Sequence, residues 1–520
     1  MTMKKFTLIF ILFLFFQLGK AQNEFITIWK PNINSIPLVS PILPVAGNNQ
    51  IWFPGIGSNY TITWEEVGFP QHNATLINIS STDRVLIDFG TPLNPSFADA
   101  TYRVKASNGN GTFSQIKFAK TNILANPILD FVSVQTSGSA NKIVEIEQWG
   151  NIQWASMNSA FAQCMDLKLT ATDAPNLSVV EDASLMFYNA FNFAANNSMS
   201  SWDTSNIKNF KYMFGYISVP PGFTLNDTFN PPIGNWDISS AQDLSYMFMK
   251  RKTFNQNINS WNTANVTNMA YTFAECLAFN QPLNAWNTSN VTNMTFMFHF
   301  MPNFNQPLDQ WDTSNVTNMG HVFHGSTSFN QPINSWDTSN VTDTNTMFNE
   351  ASSFNQTLEN WNLPLLISAN NMLLNSGIDC INYSNTLGGW ADNLLTANNI
   401  NLGSVSPLLY AGNVINKRNI LINKGWIMNG DSMGECERLG LHEVNSKNEA
   451  SIYPNPVENI IFLKNILNVK NYTITEAGGR IINKDILKSD FIDVHYLSPG
   501  NYILQIITKD KIRSFKFIKK

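Results

Sequence analysis

The chain is short of charge. Lys, Arg, Asp and Glu make up 13% of its 520 residues, against about 25% in ordinary soluble proteins. The signs nearly balance, with 32 basic and 37 acidic residues and a formal net charge of −5. Such a chain has no electrostatic footprint for nucleic acid. Its surface must be built from neutral polar groups, chiefly Asn, Ser and Thr. Cysteine is also scarce. Cys164, Cys276, Cys380 and Cys436 are scattered, which excludes a disulfide-dense scaffold and a Cys-based zinc pattern. Cys164 and Cys276 read as small core residues. An oxidising compartment permits a bridge between Cys380 and Cys436, and the spacing leaves that open. Six His are present, of which His72, His442 and His495 are isolated. No G-x-S-x-G, H-E-x-x-H or P-loop motif occurs. A D-x-[DN]-x-[DN]-G calcium loop is also missing.

Residues 1–21 read as an export signal. Lys4 and Lys5 precede an apolar run from Phe6 to Phe16, and Gly19-Lys20-Ala21 offers small residues for cleavage before Gln22. That run is too short for a bilayer span, and no later stretch qualifies. No transmembrane segment is expected once the signal is removed.

What the chain has is a repeat. Five 25-residue blocks begin at Phe254, Phe279, Phe304, Phe329 and Phe354. Each opens with Phe and continues with Leu or Ile, then with Trp261, Trp286, Trp311, Trp336 or Trp361. Val follows in four blocks, and Phe273, Phe298, Phe323 and Phe348 close them. No block carries enough apolar area to fold alone, so neighbours must cover one another and equal residues must form ladders. The polar positions repeat as strictly. Asn-Gln follows each opening Phe, and N/D-T-S/A-N follows Trp in four blocks. Side chains of these types satisfy corner backbone groups. Asn290-Val291-Thr292 and its copies match a glycosylation sequon, but their place in successive corners favours a structural cause.

The phrase from Ser289 to Phe298, SNVTNMTFMF, resembles the repeat of BspA-like leucine-rich-repeat bacterial surface proteins. The resemblance implies a mainly β solenoid with a short strand and a helical or irregular turn per repeat. It also implies a surface location, no catalytic site and no cofactor. Closing Phe residues at 161, 187, 214, 248, 273, 298, 323 and 348 place the solenoid over residues 139–378, with Leu373 marking a degraded ninth turn. The 34-residue interval before Phe248 holds an insertion, around Val219 to Phe223, expected to bulge from one face. Residues 379–437 lose the period and are similar to the family's C-terminal cap, with a linker at 438–450.

Residues 22–138 alternate in short strands between Gly, Pro and Asn clusters. They resemble the immunoglobulin-like β-sandwich that precedes such repeats, and would cover the first turn. Residues 451–520 resemble the C-terminal sorting domain of type IX secretion cargo. Tyr453-Pro-Asn-Pro-Val457, Leu497-Ser-Pro-Gly-Asn-Tyr502 and the final Phe515-Lys-Phe-Ile-Lys-Lys520 carry that likeness. It implies recognition by secretion and sorting machinery, and a place on the outer surface of a Gram-negative cell.

The positions freest to read a partner vary between blocks. One is occupied by Tyr271, Phe296, His321 and Thr346, another by Ala274, His299, His324 and Asn349. Phe300 and Met301 add an apolar element. The chain is expected to be a secreted adhesion protein for an extracellular protein or glycan. A structural stalk or self-associating coat is the alternative. A secreted polymer hydrolase would need converging reactive groups, and only Asp312 and Asp337, sharing one repeat position, offer a carboxylate pair.

Overall fold

The computed structural model describes residues 23–33, 46–123, 132–136, 139–436 and 450–520, apart from 465, 467–468, 477–478, 488–490 and 509–511. The expected signal, 1–21, and the linker up to residue 449 lie outside the described residues. The protein is mainly β and divides into two compact units, Met1–Cys436 and Glu437–Lys520.

The first unit opens with β1 (Phe25–Trp29), β2 (Gln50–Phe53), β3 (Gly55–Glu66), β4 (Phe69–Ser81), β5 (Val85–Asp88), β6 (Tyr102–Ser107) and β7 (Thr112–Ile116). Then come β8 (Ala119–Ile123), β9 (Val132–Thr136), β10 (Ile143–Gln148) and β11 (Lys168–Leu169). Alternation makes these strands, as in β6, where Tyr102, Val104 and Ala106 are buried and their neighbours are not. One sheet has the order β11-β10-β1-β6-β3-β4, with β7 also on β3, while β2–β5 and β8–β9 pair separately. Strand β10 lies antiparallel to β1 and parallel to β11. A single strand thus joins the N-terminal sheet to the first turn of the repeats. Phe25 fills that joint, with ring centroids 5.8 Å from Trp149, 5.1 Å from Trp154 and 6.3 Å from Phe161. The N-terminal strands and the repeats share one hydrophobic core.

Successive blocks lie over one another in register. The closing Phe of each turn donates its N–H to the next turn, from Phe161 to Met186 O through Phe248 to Thr272 O and on to Phe348 and Met372 O. From Asp182 onward, among the described residues, a single residue per turn makes a β-bridge. These bridges run in parallel through Asp182, Asn209, Asp243, Asn268, Asn293, Asn318, Asp343 and Ser368. The short strand expected per turn is therefore reduced to a point. The side chain at the bridge explains why. Asn268, Asn293 and Asn318 each accept the N–H two residues on, at 3.0–3.1 Å, which turns the chain before a strand can lengthen.

Aromatic files fill the interior. In the five 25-residue blocks each Trp is buried and donates its indole N–H to a carbonyl 28 residues back, as from Trp286 to Ile258 at 3.0 Å and from Trp311 to Leu283 at 2.9 Å. The closing Phe stacks on the opening Phe six residues later, with centroids 4.5 Å apart for Phe273–Phe279 and 3.8 Å for Phe323–Phe329. Two Phe files are thereby zipped together along the stack. At the polar edge, Asn255 Oδ1 accepts from Asn280 N and Gln281 Nε2, both at 3.1 Å, and the pattern recurs at each later block. The sequon-like Asn265, Asn290, Asn315 and Asn340 donate their side-chain amides to the preceding turn at 2.6–2.7 Å. These amides hold corners together, as their repeat position suggested.

The insertion does not bulge outward. Val219, Phe223 and Leu225 fold back on Met165, Phe191 and Tyr216. The buried Arg251 locks it there, donating to Phe214 O, Phe191 O and Ala190 O at 2.7–3.0 Å and to Asp227 at 3.3 Å. An apolar flank already waiting on the earlier turn attracts the loop.

Beyond residue 378 the stack continues in altered form. Helix α1 (Cys380–Asp392) is followed by β12 (Asn401–Ser404), β13 (Leu409–Ala411), α2 (Ile415–Asn423), β14 (Ile427–Asn429) and β15 (Ser432–Gly434). Strands β12–β14 and β13–β15 pair in parallel, and Asn371 N donates to Leu402 O at 3.0 Å. A disulfide joins Cys380 to Cys436 across a Cα separation of 5.3 Å. Cys164 and Cys276 are buried and free.

The second unit has two sheets. Strands β16 (Ser451–Tyr453), β17 (Ile460–Lys464) and β20 (Phe491–Asp493) form one. Strands β19 (Ile481–Asp485), β18 (Val469–Glu476), β21 (Gly500–Thr508) and β22 (Ile512–Lys519) form the other, in that order. Ile461, Ile474, Ile492, Leu504 and Phe517 make its core. Among the described residues no helix is long and apolar enough to cross a membrane.

Candidate functional site

The variable positions gather on one flank of the stack. The chain reaches them through two left-handed residues per turn. The first set comprises Tyr246, Tyr271, Phe296, His321 and Thr346, with φ between 49° and 61°. The second comprises Lys250, Glu275, Phe300, Gly325 and Glu350, with φ between 48° and 70°. Non-glycine residues seldom adopt this conformation, β-branched ones least of all. Here the next turn enforces it. Tyr271 N, Phe296 N, His321 N and Thr346 N donate to Thr295 O, Gly320 O, Asn345 O and Asn370 O at 2.8–2.9 Å.

The first set forms a ring-on-ring column. Tyr212, Tyr246, Tyr271, Phe296 and His321 stack in order, with centroids 4.1, 4.5, 4.4 and 4.0 Å apart. Equivalent closing Phe rings are 5.6–6.1 Å apart and the Trp rings up to 6.3 Å. The rings of this column are therefore packed more closely than those of the interior files. Tyr212 and Tyr246 belong to the column although the sequence reading omitted them. Tyr246 lies 25 residues before Tyr271, so the period itself could have found it.

The six sequence-selected residues Tyr271, Phe296, His299, His321, His324 and Thr346 are half-buried here rather than freely exposed. His321 Nδ1 lies beside Thr346 Oγ1 and 3.4 Å from His324 Nδ1. The His299 ring stands 4.8 Å from His324 and meets Phe296 edge-on at 5.0 Å. Burial, helped by His324, His321 and Lys250, holds His299 down at about 3. Burial and His324 hold His321 at about 4. Burial also lowers His324, opposed by Glu350. All three imidazoles are neutral at pH 7. Among the described residues no group of three or more His, Cys, Asp or Glu is arranged to hold a metal ion.

Phe300 is the exception to this burial, with 40% of its surface exposed. Its ring lies over Gly325, where a Cβ would fall 2.1 Å from Cδ1. His299 and His324 flank it at 4.2 and 5.0 Å. Charged Lys250, Glu275 and Glu350 fill the equivalent place on other turns, and Lys250 pairs with Glu275 at 3.0 Å. The flank thus presents an apolar ring set among neutral imidazoles and bordered by charge. The stacked column offers only ring edges, since its faces are occupied by one another. Asp312 and Asp337 are committed elsewhere, each accepting the N–H two residues on at 3.0 and 2.9 Å.

Comparison with known families covers both units. Residues 155–284, 217–308 and 279–385 match a family described as Mycoplasma protein of unknown function, DUF285. These stretches span the turns just described. Residues 451–520 match the model for the secretion system C-terminal sorting domain. The second unit is a sorting domain. It implies export by type IX secretion and a place at the cell surface for the repeats it carries. No curated protein matches the chain.

Proposed function

We propose that the chain is a surface-held adhesion protein whose repeats form a BspA-like, leucine-rich-repeat solenoid with an immunoglobulin-like sandwich over its first turn. The flank around Phe300, His299, His324 and His321 is its contact surface for an extracellular protein or glycan. It performs no covalent chemistry. The observation that carries this reading is the pairing of Phe300 with Gly325. Here alone in the second left-handed column a large apolar ring meets water and the following turn gives up its side chain to seat it. An exposed aromatic ringed by polar groups suits a partner-contact anchor.

Glycan and matrix-protein arrays probed with the secreted protein test this. Saturable binding that Phe300→Ser weakens supports it, and binding indifferent to that substitution refutes the assigned surface. A self-associating coat is the second reading. It is favoured by exposed Leu365, Ile367, Leu394 and Leu395 on segments joined by the Ala397 N to Leu363 O bond. Light scattering of wild type against Leu394→Ser separates the two.

A further inference from the structure

The imidazoles of the flank are not satisfied by one another. His321 Nδ1 and His324 Nδ1 lie 3.4 Å apart, which is long for a hydrogen bond. Two imidazole nitrogens sharing one tetrahedral zinc stand about 3.3–3.4 Å apart, given bonds of about 2.0–2.1 Å. Thr346 Oγ1 adjoins the same His321 nitrogen. A ring nitrogen has one proton or one lone pair in its plane, so His321 Nδ1 cannot bond well to both neighbours.

Two further polar atoms of this flank are buried without a hydrogen-bond partner among the described residues, His299 Nδ1 and Asn349 Oδ1. They occupy the repeat position of His324 on the turns before and after it. Buried polar atoms left open in this way mark a water or an ion. The Phe300 ring lies 4.2 and 5.0 Å from the His299 and His324 rings. Burial keeps His321 and His324 unprotonated at pH 7, the form in which imidazole binds a metal. The Glu350 carboxylate acts on His324 in the sense that favours a cation. Lys250, which acts on His299, is paired with Glu275 at 3.0 Å.

We propose that His321 and His324 hold a zinc-like divalent cation through their Nδ1 atoms, with water and the Thr346 hydroxyl completing its shell. The ligands are two imidazoles and neutral oxygens rather than a group of three His or carboxylates. Such a donor set suits zinc, copper or nickel, and not calcium or magnesium. His299 and Asn349 hydrogen-bond the waters of the cation. The cation ties the turn of His321 to the turn of Thr346. The site needs no partner at Phe300, so it does not rest on the proposed contact surface.

Calorimetric titration of the purified full chain with Zn²⁺ at pH 7, after treatment with chelator, tests this. One zinc per chain is expected. His321→Thr and His324→Asn suit the stack, because the next turn carries Thr346 and Asn349 at those positions. Loss of even an outer-shell partner weakens a metal site by about 10–100-fold, so each substitution should weaken zinc binding by at least that much. Melting curves in chelator should not change. His495→Asn, at an exposed site in the second unit, should bind zinc like wild type. In the wild type, zinc should shift the imidazole ¹⁵N resonances of His321 and His324 before those of any other histidine, a readout that needs no variant. A wild type that takes up no zinc would overturn the proposal. So would uptake that survives both flank substitutions, or first shifts at another histidine.

Discussion

The Trp390 indole donates to Leu358 O at 3.0 Å, the same bond that Trp361 makes to Ile333 O at 3.0 Å. Trp390 sits on a helix and Trp361 on a repeat turn, yet they occupy successive places in one file. The likeness extends to the polar edge. Asp379 N and Asn382 Nδ2 both reach Asn355 Oδ1, at 2.8 and 2.9 Å. One block earlier Asn355 N and Gln356 Nε2 reach Asn330 Oδ1 at 2.8 and 2.9 Å. Helix α1 is therefore a repeat turn rebuilt in helical form.

Trp311→Phe should separate the indole bond from the packing. It removes one of the two donors to the buried Leu283 carbonyl, which keeps Trp286 N at 3.1 Å, at a cost of about 0.5–1.5 kcal/mol. Trp311→Ala adds a cavity and should cost about 3–5 kcal/mol. Urea unfolding of both variants measures the difference.

Arg251→Met should be among the most damaging substitutions. It strips donors from three buried carbonyls and leaves the buried Asp227 carboxylate unpaired. Breaking such a site costs about 3–5 kcal/mol. Protease cutting near Pro221 and Gly222 should rise in parallel, because the insertion loses its lock.

Gly325→Ala should move Phe300. The new methyl collides with the ring and sits at φ +70°, a conformation that costs an alanine about 1–2 kcal/mol. Partner binding should fall with it, and crystallography of the variant would show the displaced ring.

Acid should weaken the His flank. His299 and His321 lie at about 3 and about 4 in the folded protein, below the ordinary 6.5. The unfolded chain therefore takes up protons first. The stability these groups contribute is complete above pH 6.5 and drains away as pH falls from there toward 3. Lys250 and Glu350, which face the cluster, act on it in opposite directions. Denaturation at pH 7.5 and 4.5 should show a smaller acid loss in H299N/H321N/H324N than in wild type.

Reducing the Cys380–Cys436 bridge should loosen the end of the first unit. The bridge spans 56 residues, and releasing a loop of that length costs about 4 kcal/mol in the chain-entropy account. Calorimetry with and without reductant, and with C380S/C436S, would detect it.

Much of this was legible in residue order. The Phe and Trp positions gave the register, because each is buried against its own copy. The Asn, Thr and Asx corners were legible because each repeats its bond as well as its identity. Three things were hidden. Residues such as Thr346 and Phe296 carry no mark of a left-handed backbone, since the next turn's carbonyls impose it. The turn at α1 was hidden because helical geometry spends 13 residues where a repeat turn spends fewer, so Trp390 falls off the 25-residue grid. The union of β1 with β10 joins residues more than 110 apart in the chain, which no local pattern encodes. The Phe300 site was half visible, as an unusual residue whose seat at Gly325 only the fold supplies.

Exchange of the indole N–H protons of Trp286, Trp311 and Trp336 in heavy water, followed by NMR, tests the stacking most directly. Each should exchange as slowly as the core amides, and all should be released together when the stack unfolds. Exchange within seconds, as for an indole open to water, would contradict the stacked files and the flank built upon them.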